Sequence, residues 1–61
     1  MDKMDISDFT HDVIELLRNV GYVGNANDIS DMLISEHQDG ASPLDCAQVI
    51  AEEIGLPDVM E

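Results

Sequence analysis

The chain has 61 residues, which is enough for one small domain, and its hydrophobic fraction of 44% is too high for a disordered acidic tail. Fourteen Asp and Glu residues oppose only Lys3 and Arg18, so the net charge is −12. Because phosphate backbones and anionic lipids are bound through Lys and Arg, this balance excludes direct nucleic-acid binding and electrostatic attraction to a membrane surface.

The sequence shows no pattern of export or membrane insertion. Residues 1–8 are acidic and polar, unlike the basic start of a signal peptide, and no apolar run approaches the roughly 20 residues of a membrane-spanning helix. Cys46 is the single cysteine, so these 61 residues cannot form an internal disulfide. We therefore expect a cytoplasmic protein, and its small size suggests a bacterial or phage origin.

The first predicted helix runs from about residue 6 to residue 20. Asp5 or Ser7 is placed to cap its first turn, and Gly21 is expected to end it. Its acidic residues fall on the side opposite to the apolar ones. The apolar positions follow the i, i+3, i+4, i+7 spacing of one helical face: Ile6, Phe9, Val13, Leu16, Leu17 and Val20.

The second predicted helix runs from about residue 28 to residue 38. It follows the glycine- and asparagine-rich stretch GYVGNAN at 21–27, and Asn25 or Asn27 is expected to cap it. Asp39 and Gly40 mark its end. Its inward face is predicted to consist of Ile29, Met32 and Leu33.

The third predicted helix runs from residue 43 to residue 54. It opens with a Ser42 cap, Pro43 at the first helical position and an acid at the third, Asp45. Gly55, with Pro57 behind it, ends the helix, and Leu56 is placed for a Schellman contact. The chain termini, including the tail over 58–61, are expected to fray. Its apolar face is predicted to consist of Leu44, Ala47, Ile50, Ala51 and Ile54.

No segment alternates with a period of two, so we predict no sheet. The expected architecture is an all-α single domain of three short helices joined by short loops, which homodimerisation could complete.

Specific chemistry is not indicated by the sequence. Residues 25–36 have the length of a calcium loop, but Ile29 stands at a ligand position and Ser30 where the turn requires glycine. No zinc-ligand spacing occurs. Cys46 lies beside an apolar face and among acids, a setting typical of a buried structural thiol. We therefore predict neither enzymatic activity nor a cofactor or metal site.

Two segments resemble parts of known families. The stretch DGASPLDCAQVIAEEIGLP at 39–57 resembles the acyl carrier protein segment that leads into the recognition helix, although Pro43 occupies the position of the phosphopantetheine-bearing serine and Ser42 precedes it. This resemblance implies a carrier-like accessory as a remote alternative. Residues 17–22, followed by two helices, are similar to the helix–glycine–aromatic loop of ubiquitin-associated domains.

Two surfaces are predicted to bind partners. Each predicted helix carries one aliphatic residue off its main apolar stripe: Ile14, Ile34 and Val49. These residues suggest an apolar seam that binds a partner or an identical subunit. The alternative is that the core is wider than the helical pattern implies. The acidic faces consist of Asp8, Asp12 and Glu15 on the first helix, Asp28 and Asp31 on the second, and Glu52 and Glu53 on the third.

These surfaces predict a non-catalytic interaction module or regulator that associates with itself or with a basic protein. The alternative is an acidic inhibitor that imitates nucleic acid, or an antitoxin-like protein, bound to a basic partner. Charge that only keeps the protein soluble would give the same acidic pattern.

Overall fold

The computed structural model describes residues 4–57 and 59, and this part of the chain contains three α-helices and no strand. Helix α1 spans Ile6–Asn19, α2 spans Ser30–Gln38 and α3 spans Pro43–Ile54, and a short 3-10 turn at Ala26–Ile29 leads into α2. The predicted all-α, three-helix architecture is therefore confirmed. The predicted tail at 58, 60 and 61, together with residues 1–3, lies outside the described residues.

Helix α1 buries one stripe and ends in a glycine-dependent turn. Asp5 stands at the N-cap but its side chain makes no capping hydrogen bond, contrary to the expected role. At the other end Gly21 has φ 104°, a left-handed conformation that costs other residues free energy. There the Tyr22 N–H donates to the Leu17 carbonyl at 3.0 Å and the Gly21 N–H donates to the Arg18 carbonyl at 3.1 Å. This pair of bonds is a Schellman motif.

The loop before α2 is fixed by local side-chain hydrogen bonds. The Tyr22 hydroxyl donates to the Asn25 carbonyl at 3.0 Å, and a Cβ added at Gly24 would lie only 2.6 Å from that hydroxyl oxygen. Asn25 Oδ1 accepts from the Asn27 N–H at 3.1 Å, and Asp28 Oδ2 accepts from the Asn25 N–H at 3.4 Å. Because these short side chains bond to nearby backbone, the segment starts as a 3-10 turn rather than as the predicted α-helix.

Helix α3 begins and ends as its sequence predicts. Ser42 Oγ accepts from the Asp45 N–H at 3.2 Å, with Pro43 at the start of the helix. Gly55 is left-handed, and the Leu56 N–H donates to the Ala51 carbonyl at 2.7 Å. Leu56 also packs against the core. The last turn is therefore closed by both a hydrogen bond and an apolar contact.

Loss of the Ser42 hydroxyl should lower the free energy of unfolding. We expect Ser42→Ala to cost about 1 kcal/mol, because the Asp45 N–H would lose its side-chain acceptor. Urea denaturation followed by circular dichroism measures the change. Ser35→Ala is the control, since Ser35 lies exposed within α2, where alanine is a better helix former. Equal effects of the two substitutions would contradict a capping role.

The core is mainly aliphatic and lies where the helices pack together. Helix α1 packs mainly against α3, whose buried residues include three with small side chains, Cys46, Ala47 and Ala51. Small side chains at a helix contact allow the two backbones to approach closely. Around the core lie partly buried residues that include Ile14, Leu16 and Met32. The buried residues are Phe9, Val13, Leu17, Ile29, Leu33, Cys46, Ala47, Ile50 and Ala51.

Three residues predicted for the inward faces are instead exposed. Ile6, Leu44 and Ile54 keep 43%, 38% and 44% of their surface accessible. Each lies at or next to the end of its helix, outside the span from the first to the last residue that the helix buries. A helical pattern identifies the face but not how far along the helix a neighbour covers it, so these three predictions were wrong.

Candidate protein-interaction site

The Cys46 thiol is buried and free. Burial, and secondarily the negative charge of Glu36, raises the pKa of this thiol to about 11. A thiol with that pKa stays protonated near neutral pH and makes a poor nucleophile. This environment is the one that the sequence predicts for a structural cysteine.

The two histidines occupy different environments. His37 Nε2 lies 2.6 Å from the Met4 carbonyl oxygen, and the ring meets Phe9 edge-on with centroids 5.1 Å apart. His11 is exposed on α1, with ring nitrogens 3.9 Å from Asp12 Oδ1 and 3.6 Å from Glu15 Oε2. Within residues 4–57 and 59, no three His, Cys, Asp or Glu side chains are grouped so that they could hold a metal ion.

The three residues of the predicted seam lie in different settings. Ile14 is half-buried and packs against the core. Ile34 and Val49 are exposed on α2 and α3. Ile34 lines one of the two depressions described below, where Ile6 joins it. The sequence did not indicate Ile6, because its position fits the core stripe.

A first groove lies between the start of α1 and the segment over 26–34. It has a volume of about 230 Å³, and none of its lining residues is charged. We refer to it as the uncharged groove. Its lining consists of Ile6, Thr10, Ala26, Asn27, Ser30, Leu33 and Ile34.

A second, larger depression lies between α1 and the start of α3. Its volume is about 410 Å³, and two of the predicted acidic residues, Asp12 and Glu15, line it with exposed side chains. We refer to it as the acid-rimmed cleft. Sequence reasoning missed Leu16 and Leu44 here, because both fit the core stripes of their helices. The lining consists of Asp12, Glu15, Leu16, Asn19, Ser42, Pro43 and Leu44.

The remaining residues of the acidic faces do not line either depression. Asp28 accepts the Asn25 N–H, and Glu52 Oε2 accepts from Gln48 Nε2 at 3.0 Å. The others are exposed on their helices: Asp8, Asp31 and Glu53. In the part of the chain that the structure describes, the only ion pairs within 4.0 Å are those of His11, so Arg18 neutralises no carboxylate directly.

These features define a small, acidic, all-α domain with two depressions on its surface. No described helix is long and apolar enough to cross a membrane. No family model, no curated protein sequence and no solved structure gives a significant match to the chain.

Proposed function

We propose that this chain is a small, non-catalytic protein-interaction module. The observation that supports the proposal is the aliphatic surface that the fold leaves uncovered. Single exposed aliphatic residues are ordinary, but here Ile6 and Ile34 share the uncharged groove, and Leu44 lines the acid-rimmed cleft. Apolar side chains gathered into concave surface sites are typical of surfaces that receive another protein.

The uncharged groove favours a second copy of the chain as one partner. Two copies that each carry a net charge of −12 repel one another at a distance. They can associate only where apolar contact is made without bringing carboxylates together. The groove offers such a place, since Ile6 and Ile34 are exposed there and no charged residue lines it.

Self-association through this groove predicts an unusual response to salt. Screening of the net charge should strengthen the dimer as salt rises from about 50 to about 500 mM, because the Debye length falls well below the size of the domain. We expect Ile34→Asp to weaken association about tenfold or more, since it places an unpaired charge in the contact. Sedimentation equilibrium over a range of protein concentrations measures both effects.

Val49→Asp is the matched control. Val49 is 43% exposed against 47% for Ile34, but it does not line the groove, so this variant should associate like the wild-type chain. Ile14→Asp is a poor test, because Ile14 packs against the core and the substitution would also destabilise the fold. A protein that stays monomeric at every salt and protein concentration would rule out self-association.

A further inference from the structure

We infer that the acid-rimmed cleft is a docking site for a basic amphipathic helix of a partner protein, an inference that rests on the proposed function. The helix places aliphatic side chains on the floor of the cleft, formed by Leu16, Pro43 and Leu44. Its Lys or Arg side chains lie against Asp12 and Glu15 at the rim.

The floor of the cleft offers apolar area that the domain itself does not cover. Leu16 and Pro43 are half-buried, and Leu44 remains 38% exposed. The cleft is lined from two helices, so an inserted side chain would contact α1 on one side and α3 on the other. Burial of such surface by a partner is favourable in proportion to the apolar area removed from water.

The rim supplies the charge complementarity. The side chains of Asp12 and Glu15 are 51% and 67% exposed, and no Lys or Arg lines the cleft. Their nearest cationic neighbour is His11, whose ring is charged only when protonated. A Lys or Arg of a partner would therefore meet carboxylates that have no other strong cation, which increases the association rate and selects basic segments.

The α1 wall of the cleft is long enough for two turns of a partner helix. Asp12, Leu16 and Asn19 lie at i, i+4 and i+7 on one stripe of α1. Seven residues of α-helix rise about 10 Å, which is two turns. A partner helix lying along this wall could place two turns of apolar side chains in the cleft, and the Asn19 amide can hydrogen-bond at the far end.

These 61 residues do not supply the occupant themselves. This chain has only Lys3 and Arg18 as basic residues, so a second copy offers no basic amphipathic helix. Nucleic acid is repelled by the rim and by the net charge of −12.

The test uses two labelled synthetic peptides of about 18 residues, five turns of helix. One carries Leu at i, i+3, i+4 and i+7 with Lys on the flanks, and the other has the same composition scrambled so that no apolar stripe forms. Fluorescence anisotropy measures their binding to the full chain at about 50 and about 300 mM salt. The patterned peptide should bind more tightly than the scrambled one, and its affinity should fall as salt rises.

Variants then locate the binding site. Leu44→Ser should weaken binding of the patterned peptide about tenfold, through loss of apolar contact. Asp12→Asn with Glu15→Gln should weaken it about three- to tenfold at low salt and flatten the salt dependence. Glu52→Gln with Glu53→Gln removes the same charge from α3 outside the cleft and should change affinity less than about twofold.

Each other outcome overturns the inference. If the double substitutions on α1 and α3 reduce the peptide affinity equally and Leu44→Ser has no effect, the peptide responds only to the overall acidity of the protein. If NMR amide chemical shifts change around Ile6 and Ile34 when the peptide is added, the peptide binds in the uncharged groove. The cleft inference would then fail, but the proposed interaction module would remain. If neither peptide binds, the inference that the cleft is a docking site is rejected. If the protein is also monomeric in sedimentation, the proposed interaction module is rejected too.

Discussion

Phe9→Ala is expected to unfold a large part of the protein population. Phe9 is 1% exposed, is the largest of the fully buried side chains and contacts the His37 ring. Truncation of a buried Phe costs about 3 to 5 kcal/mol. A domain of 61 residues has a total stability on the order of 3 to 9 kcal/mol, so the loss is comparable with the whole.

Urea denaturation followed by far-ultraviolet circular dichroism tests this expectation. Val23→Ala is the control, because Val23 is 97% exposed in the loop before the 3-10 turn and its truncation should change stability by less than about 0.5 kcal/mol. If Phe9→Ala unfolds at the same urea concentration as the wild-type chain, Phe9 does not anchor α1 in the core.

The start and end of α3 could be predicted because the residues that determine them act on one another within a single turn. Ser42 bonds to Asp45 and Gly55 takes the left-handed conformation, whatever the rest of the chain does. The start of the second helix could not be predicted in the same way. The Asn25 carbonyl is also bonded by the Tyr22 hydroxyl, whose position depends on how α1 ends.

The two depressions could be predicted only in part. Asp12, Glu15 and Ile34 were expected on the surface from their positions off the apolar stripes. Leu44 and Ile6 were not, because a stripe gives direction around a helix but not the point where a neighbouring helix stops covering it. Apart from Ile34, the large aliphatic residues that line the depressions are therefore ones that the sequence pattern assigns to the core.

The charge and the two depressions together constrain how the domain can associate. On the proposed function, binding of a basic partner at the acid-rimmed cleft should weaken as salt rises, whereas self-association through the uncharged groove should strengthen. The two proposed modes of association are thus expected to respond to ionic strength with opposite signs. Self-association and binding of the patterned peptide, each measured over a range of salt for the wild-type chain and the Ile34→Asp and Leu44→Ser variants, separate the two modes.

Alkaline pH should destabilise the fold through Cys46. The folded thiol has a pKa of about 11, raised from 9.0 by burial first and by the charge of Glu36 second. Between these values the unfolded chain binds fewer protons than the folded one, so stability falls as pH rises. The stability that depends on a protonated Cys46 thiol is fully present below pH 9 and is lost by about pH 11. Two pKa units correspond to about 2 to 3 kcal/mol, a large fraction of the stability of so small a domain.

Cys46→Ala separates this effect from other groups that titrate in the same range. Burial also raises the pKa of Tyr22, and Asp28 adds to the shift, but the contribution of that phenol is common to both proteins. With a reductant present, denaturation from pH 8 to pH 11 should show the wild-type chain losing about 2 to 3 kcal/mol more than the variant. At neutral pH the variant should be the less stable of the two, because it leaves a small cavity among Ala47, Ile50 and their neighbours. If the unfolding free energies of the two proteins change with pH in parallel, ionisation of the Cys46 thiol costs no more in the folded state than in the unfolded state.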